Sequence, residues 1–425
     1  MAAVPLRSRR KAPKAWHRFL AQVPGRKASL VTGGAKTMAE RIYLDWNATA
    51  PLRPQAREAM VAALDALGNP SSVHAEGRAA RRLIDDARRH VAALVGAAPA
   101  DVVFPSGGTE ANATALSPSL RAADGRPMDV LLVSAIEHPS VLAGGRFPAD
   151  AVVPVQVGRD GTIDLAALER LLASVGGRAL LSLMHANNET GVVQPVAQAA
   201  AIVHAAGGLL HVDAVQAAGR IPCDIKALGA DLLAISAHKL GGPKGVGALV
   251  RRSDAVSWPA PLIKGGGQER GTRAGTENVA AVAGFGAAAA AAARHLEAER
   301  GRLGGLRDRL EAGLGAEFPQ TVVFGSGAER LPNTTLFALP GVKAETAVIA
   351  LDLAGVAVSS GAACSSGKVA ASHVLAAMGV PAAVARGAVR VSLGYASQET
   401  DTERFLAAWS TLAQTLLKEQ RGIAA

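Results

Sequence analysis

A lysine at the end of an apolar run is the first residue placed to do chemistry. In "DLLAISAHKLGGPKG" the run 231–237 delivers Ser236, His238 and Lys239 to its end, and glycines follow. A lysine held in such a turn loses hydration, which lowers its pKa and makes it a nucleophile toward an aldehyde. Lys244 lies in the same loop and is a rival; Lys239 is preferred because it follows the run directly. An ordinary solvated lysine in a turn is the plain alternative. In "LLHVDAVQ" a second apolar run ends at Asp213, with Gln216 three residues on. A carboxylate there is costly unless it is paired. A pyridinium nitrogen is one suitable partner, and a helix N-cap is the competing explanation.

Four further stretches carry polar groups at the ends of apolar runs. "FPSGGTEANATAL" offers the backbone N–H groups of Gly107, Gly108 and Thr109 at the start of a helix, a cradle for phosphate. Ordinary helix capping explains the same residues. "SAIEHPS" sets His138 after a run, where a ring stacks on a flat cofactor, shuttles a proton or serves structure alone. "HANNETG" offers Asn187, Asn188 and Glu189, where the asparagine amides suit a ring oxygen or a carboxylate. In "VRVSLG", Val389, Val391 and Leu393 share one face and Arg390 takes the other, as a carboxylate clamp or an edge salt bridge. Taken together these are the parts of a pyridoxal phosphate (PLP) site: Schiff-base lysine, pyridinium partner, phosphate cradle, stacking ring and carboxylate clamp. A seventh stretch, "SSGAACSSG" at 359–367, surrounds Cys364 with small residues, a tether for a thiol that must act as thiolate.

The elements that must position these residues follow from periodicity. Runs 129–135, 179–186, 208–214 and 231–237 predict buried strands, and "PVAQAAAIVHAAGG" between two of them predicts a helix. Strand, helix, strand at this spacing predicts an α/β fold with a mostly parallel sheet, whose ligands sit beyond the carboxyl ends of the strands. Helices are predicted after Leu52 up to Gly68 and over "EGRAARRLIDDARRHVAALVG". A long helical segment starting near Thr276, broken at Gly304-Gly305, links to a C-terminal part. That part mixes strands ("TTLFALPG", "GAVRVSLG") with helices (around "ASHVLAAMG", and from about Glu399) and reads as α+β. The division is a basic leader at 1–40, a large α/β domain at 41–295 and a small α+β domain at 296–425 carrying the cysteine loop.

Composition bounds the alternatives. The 425 residues are 49% hydrophobic but only 3% aromatic, so the core is built from Ala, Val and Leu. Two cysteines, at 223 and 364, form neither a disulfide framework nor a zinc site, which fits a reducing compartment, here the cytoplasm. Cys223 reads as core packing. The formal charge is +10, and nine Lys and Arg with no acid fall in residues 1–38, so removing them leaves +1 for residues 39–425. That body gives no support to nucleic-acid binding. The leader reads as an extension upstream of a start at Met38, or as an organelle transit peptide that would place the protein in a matrix. No stretch reaches the ~18 consecutive apolar residues of a spanning helix.

The succession "YLDWNATAPL", "GNPSSVHAEGR", "SGGTEANA", "EHPSV", "NNETGVVQP", "HVDAVQAAG", "SAHKLGGPKG", "GGGQERGTRAGTEN" and "SSGAACSSG" resembles the cysteine desulfurases of iron–sulfur cluster assembly. These are fold-type I PLP enzymes grouped with the class V aminotransferases, and the resemblance runs from about Ile42 to the C-terminal helix. It implies a seven-stranded-type sheet flanked by helices. It implies Lys239 as the PLP lysine, Asp213 on the pyridine nitrogen, Gln216 on the ring hydroxyl and His138 stacked on the ring. Gly108, Thr109, Ser236 and His238 would serve the phosphate side. Thr276 would reach the phosphate from a neighbouring subunit, which implies a homodimer. Asn188 and Arg390 would hold the carboxylate of L-cysteine, with Lys239 and His138 moving protons. Cys364 would take the sulfur as a persulfide, pass it to a scaffold or carrier protein, and serve as a transient iron–sulfur ligand. The loop reads SSGAACSSG where SSGSACTS is frequent, and its longer spacing to the next helix matches the cluster-assembly group. A selenocysteine lyase or another class V aminotransferase shares the PLP residues, and a basic nucleic-acid-binding protein or scaffold would carry no chromophore.

Overall fold

A computed structural model describes residues 41–258, 260–361 and 372–423. The leader 1–40 and Cys364 lie outside the described residues. From Arg41 onward the chain packs as one compact unit.

Among the described residues a short parallel pair joins β1 (Ile42–Tyr43) to β11 (Val356–Ala357). The main sheet has seven strands in the order β2 (Val102–Val103), β8 (Gly247–Arg251), β7 (Leu232–Ser236), β6 (Leu209–Asp213), β5 (Ala179–Met184), β3 (Val130–Ser134), β4 (Val152–Val155). The run β7-β6-β5-β3-β4 is parallel throughout, whereas β8 and β2 join antiparallel. Strands β5, β6 and β7 are buried along their whole length, which is why they read as continuous apolar runs rather than alternating ones. A four-stranded antiparallel sheet follows in the order β12 (Ser359–Ser360), β13 (Val389–Ser392), β10 (Thr334–Ala338), β9 (Val322–Val323).

The helices are α1 (Pro54–Leu64), α2 (Ala75–Leu94), α3 (Gly108–Ala115), α4 (Pro139–Leu142), α5 (Leu165–Ser174), α6 (Val196–Ala205), α7 (Val279–Glu317), α8 (Ala344–Leu353), α9 (His373–Ala377), α10 (Ala382–Ala385) and α11 (Glu399–Ile423). The expected break at Gly304-Gly305 does not occur: α7 runs unbroken for 39 residues. Two interior glycines cost about 1 kcal/mol each relative to alanine. Against that, Leu303, Leu306, Leu310 and Leu314 are buried on one face of α7 against Phe337, Phe405 and Trp409, and each fully buried leucine contributes roughly 2 kcal/mol. Packing therefore outweighs propensity.

The N-terminal half of α7 is long and apolar enough to cross a membrane by composition, although it holds no run of the length sought in the sequence. Its apolar side chains are core: Phe285, Ala288, Ala289 and Ala292 are fully buried in the cluster that also takes Ala87 and Val91 of α2. Two apolar clusters underlie the main sheet and another the C-terminal sheet, while a fourth joins Met184 of β5 to Leu336 and Ala338 of β10.

Candidate active site

The parallel strands end at one edge, and the polar residues expected there converge. Asp213 is the last residue of β6, and Ser236 the last of β7. A single 3-10 turn, Ala237–Lys239, then carries His238 and Lys239. The turn after β5 supplies Asn188. His138 follows β3 and caps α4, its Nδ1 accepting the Ser140 N–H at 3.1 Å. Gly107 precedes α3 with no side-chain cap, leaving first-turn N–H groups directed outward. Arg390 reaches in from β13. All of these, with Gly108, Thr109 and Gln216, line one cavity of about 510 Å³.

The segment after β1 supplies groups that the sequence alone does not single out. Lys239 Nζ donates to the carbonyls of Asn47 and Ala48 at 2.6 and 2.9 Å. Gln216 Nε2 donates to the same Asn47 carbonyl at 3.0 Å. Thr49 Oγ1 meets His238 Nδ1 at 3.2 Å. Lys244, the rival lysine, also lines the cavity, but it is exposed, whereas Lys239 is half-buried.

Asp213 is fixed from two sides. Its Oδ2 accepts from Asn112 Nδ2 at 2.8 Å and its Oδ1 from the Val215 N–H at 2.9 Å. The Val215 contact is a local turn bond, so the capping explanation holds for one oxygen while Asn112 orients the other. Asn112 also donates to Ser140 Oγ at 2.9 Å, and Ser140 Oγ lies 2.8 Å from His138 Nδ1. With Nδ1 accepting from a backbone N–H, the neutral ring carries its proton on Nε2. Burial pushes the His138 pKa down; the Lys239 and His373 charges add to this and Asp213 opposes it. His238 is pushed down to about 4, by burial first and then by Lys239, Lys244 and Arg220.

Arg390 is 2% exposed and not at an edge. It pairs with Asp45 at 2.7 Å and donates to the Asn188 carbonyl at 2.8 Å, and its buried Nε has no partner among the described residues. The salt bridge and the clamp are thus compatible readings of one side chain. Asn187, by contrast, is spent on structure: its Oδ1 accepts from the N–H groups of Glu189 and Thr190 at 2.9 Å each. Glu189 is buried and accepts from Ser372 Oγ at 2.5 Å, and burial pushes its carboxyl up to about 7, opposed by Ser372 and Arg390. Burial also holds Glu137 well above the usual carboxylate range, reinforced by Asp213. Thr276 is exposed and does not line the cavity of its own chain.

Cys223 is buried and unpaired, with Sγ 3.4 Å from His185 Nδ1. Burial pushes its thiol pKa up, out of the range of a nucleophile.

These residues fit PLP. A Cβ on Gly108 would lie 2.8 Å from Val215 Cγ2 and 3.4 Å from Ser236 Cβ, so the cradle needs glycine where α3 meets the ends of β6 and β7. The N–H groups at the α3 N-terminus, a carboxylate oriented by Asn112 and a half-buried lysine suit phosphate, ring nitrogen and aldehyde in turn.

Fold and site together define a class V aminotransferase: the match to that family covers residues 42–405, and the family is PLP-dependent. Within it, the chain belongs to the cysteine desulfurases. It is 45% identical over 373 residues to a cysteine desulfurase of Cereibacter sphaeroides, covering 86% of this chain and 94% of the relative. It is 39% identical to an IscS-like cysteine desulfurase of Mycobacterium tuberculosis, covering 86% and 94% respectively. A solved NifS-like protein from Rickettsia africae superimposes with a TM-score of 0.79 at 35% identity, over 88% of this chain and all of that one.

Proposed function

We propose that this chain binds PLP in the cavity between Gly108, Asp213 and Lys239 and uses it to take sulfur from L-cysteine, leaving L-alanine. The observation that carries this reading is the convergence of Lys239, Asp213, His138, Ser236, His238, Gln216 and Arg390 on one cavity. Bound there, PLP would supply an electron sink for the substrate α-carbon. Asp213 would pair with the ring nitrogen and Gln216 with the ring hydroxyl. Gly108, Thr109, Ser236 and His238 would hold the phosphate. Arg390, with its unpartnered Nε, and Asn188 would hold the substrate carboxylate. Lys239 Nζ and His138 Nε2 would move protons.

Sulfur transfer is written so that it balances. The Cys364 thiolate attacks the substrate Sγ and an S–S bond forms. The Cβ–S bond breaks, its electron pair stays with Cβ, and a proton completes the methyl group of alanine. The persulfide then passes to an acceptor, an iron–sulfur scaffold or a sulfur carrier in this proposal. Residues 41–295 would hold the cofactor and 296–425 would bring the thiol, a division supported by the separate apolar clusters. The exposure of Thr276 away from its own cavity supports a homodimer in which it completes the partner's site. Few cysteines and an unpaired Cys223 support a reducing compartment, the cytoplasm, or an organelle matrix if the leader is a transit peptide.

Mass spectrometry after incubation with L-cysteine tests the reading. One added sulfur on Cys364, with alanine released and both lost in Cys364→Ser, is expected. Alanine formed at an undiminished rate by Cys364→Ser would point instead to a lyase or aminotransferase that shares the PLP residues.

A further inference from the structure

The segment between Ile263 and Asn278 holds a backbone conformation that needs explaining. Glu269 and Arg270 have φ of 46° and 57°, the non-glycine residues with positive φ among those described. Two consecutive left-handed residues without glycine persist only where the surroundings over-determine them. Here the surroundings are specific. The Glu269 carboxylate is buried and gripped at both oxygens by Arg88 of α2, at 2.8 Å each. Its Oε2 also accepts from the Phe104 N–H at 3.1 Å, and the Arg88 guanidinium lies 4.8 Å over the Phe104 ring. Four residues on, Arg273 Nε donates to Glu110 Oε1 at 3.1 Å, while Glu110 Oε2 accepts from the Ser106 N–H at 2.7 Å.

The anchors share one destination. Phe104, Ser106 and Glu110 are the turn from β2 into α3, the turn that presents Gly107–Thr109 to the cavity. The loop ending in Thr276 is thereby fastened to the phosphate cradle of its own chain, yet Thr276 does not line that cavity. We propose that Arg88, Glu269 and Arg273 are positioning residues. They set the loop that each chain lends to its partner by fastening it to the lender's own cradle, and so link cofactor uptake at the two sites. This rests on the homodimer with a lent Thr276 proposed above. Phosphate binding at one cradle orders Glu110, then Arg273, and thus the loop serving the other site. By linkage the effect is reciprocal.

The test uses apo enzyme titrated with PLP alone, read by the shift in PLP absorbance when Lys239 bonds the aldehyde, measured against a Lys239→Ala blank. Wild type is expected to take up PLP with positive cooperativity. Glu269→Gln and Arg273→Met are each expected to weaken uptake about tenfold and abolish the cooperativity. Unchanged uptake in both variants overturns the proposal. A mixed dimer of Glu269→Gln with Lys239→Ala decides where the pair acts. Its one Lys239 belongs to the Glu269→Gln chain, which borrows the intact loop of the other. Wild-type affinity at that site is expected; affinity as weak as in the Glu269→Gln homodimer overturns the proposal and confines Glu269 to its own cradle. If Glu269→Gln fails to fold, as judged by circular dichroism, the mixed dimer of Arg273→Met with Lys239→Ala carries the same test. Sedimentation of wild type as a monomer at every concentration would instead remove the homodimer on which the inference rests.

Discussion

Single residues decide what the cavity can do, and two of them make separable predictions. Lys239 and Lys244 both line it, but only Lys239 is half-buried and held by the Asn47 and Ala48 carbonyls. Lys239→Ala is expected to lose the visible absorbance of bound PLP and to lower alanine formation about a thousandfold or more, whereas Lys244→Ala keeps the absorbance. The opposite pattern would reassign the lysine. Glu189 predicts a pH effect on stability. Burial raises its carboxyl from the ordinary 4.5 to about 7, so the folded state binds this proton more tightly than the unfolded one. The contribution is fully present below the unfolded pKa and is lost as pH rises through about 7. Urea unfolding should show wild type losing more stability than Glu189→Gln between about pH 5 and about pH 8. Parallel slopes would show that Glu189 titrates as it does in water. What the sequence discloses at this scale has a physical limit. Asp213, Ser236, His238 and Lys239 were legible because each follows an apolar run in a parallel sheet. Asn47, Ala48, Thr49 and Asn112 were not, because their significance lies in partners far along the chain: Lys239 and Asn47 are 192 residues apart.

At the scale of elements, periodicity located the buried strands to within a residue or two, because β5, β6 and β7 are buried on both faces. It failed on α7, where local propensity argued for a break and the leucine face overrode it. The same helix depends on glycine elsewhere for closeness rather than freedom. A Cβ on Gly286 would fall 2.4 Å from Ala87 Cα, so α2 and α7 meet at a point that tolerates no side chain. Gly286→Ala is therefore expected to destabilise the fold by about 1–3 kcal/mol despite alanine's better helix propensity. Thermal unfolding of the variant measures it, and a midpoint equal to or above wild type would refute the close-contact account.

For the whole molecule, the proposed lending of Thr276 makes cofactor retention a property of the assembly. Diluting holoenzyme below its dimer dissociation constant should release PLP in step with the fall in sedimentation coefficient; retention by the monomer would show that one chain suffices. The thiol count offers a different consequence. The chain has two cysteines, and Cys223 is sealed in the core with its thiolate suppressed. Native enzyme should therefore give at most one fast equivalent with a thiol reagent, and a second only in denaturant. The buried residue makes the protein its own calibration standard: a persulfide also takes the reagent but leaves it on a reducible disulfide, so the share of label a reductant releases, counted against the stable thioether formed on Cys223 in denaturant, reads as the share of chains carrying sulfur.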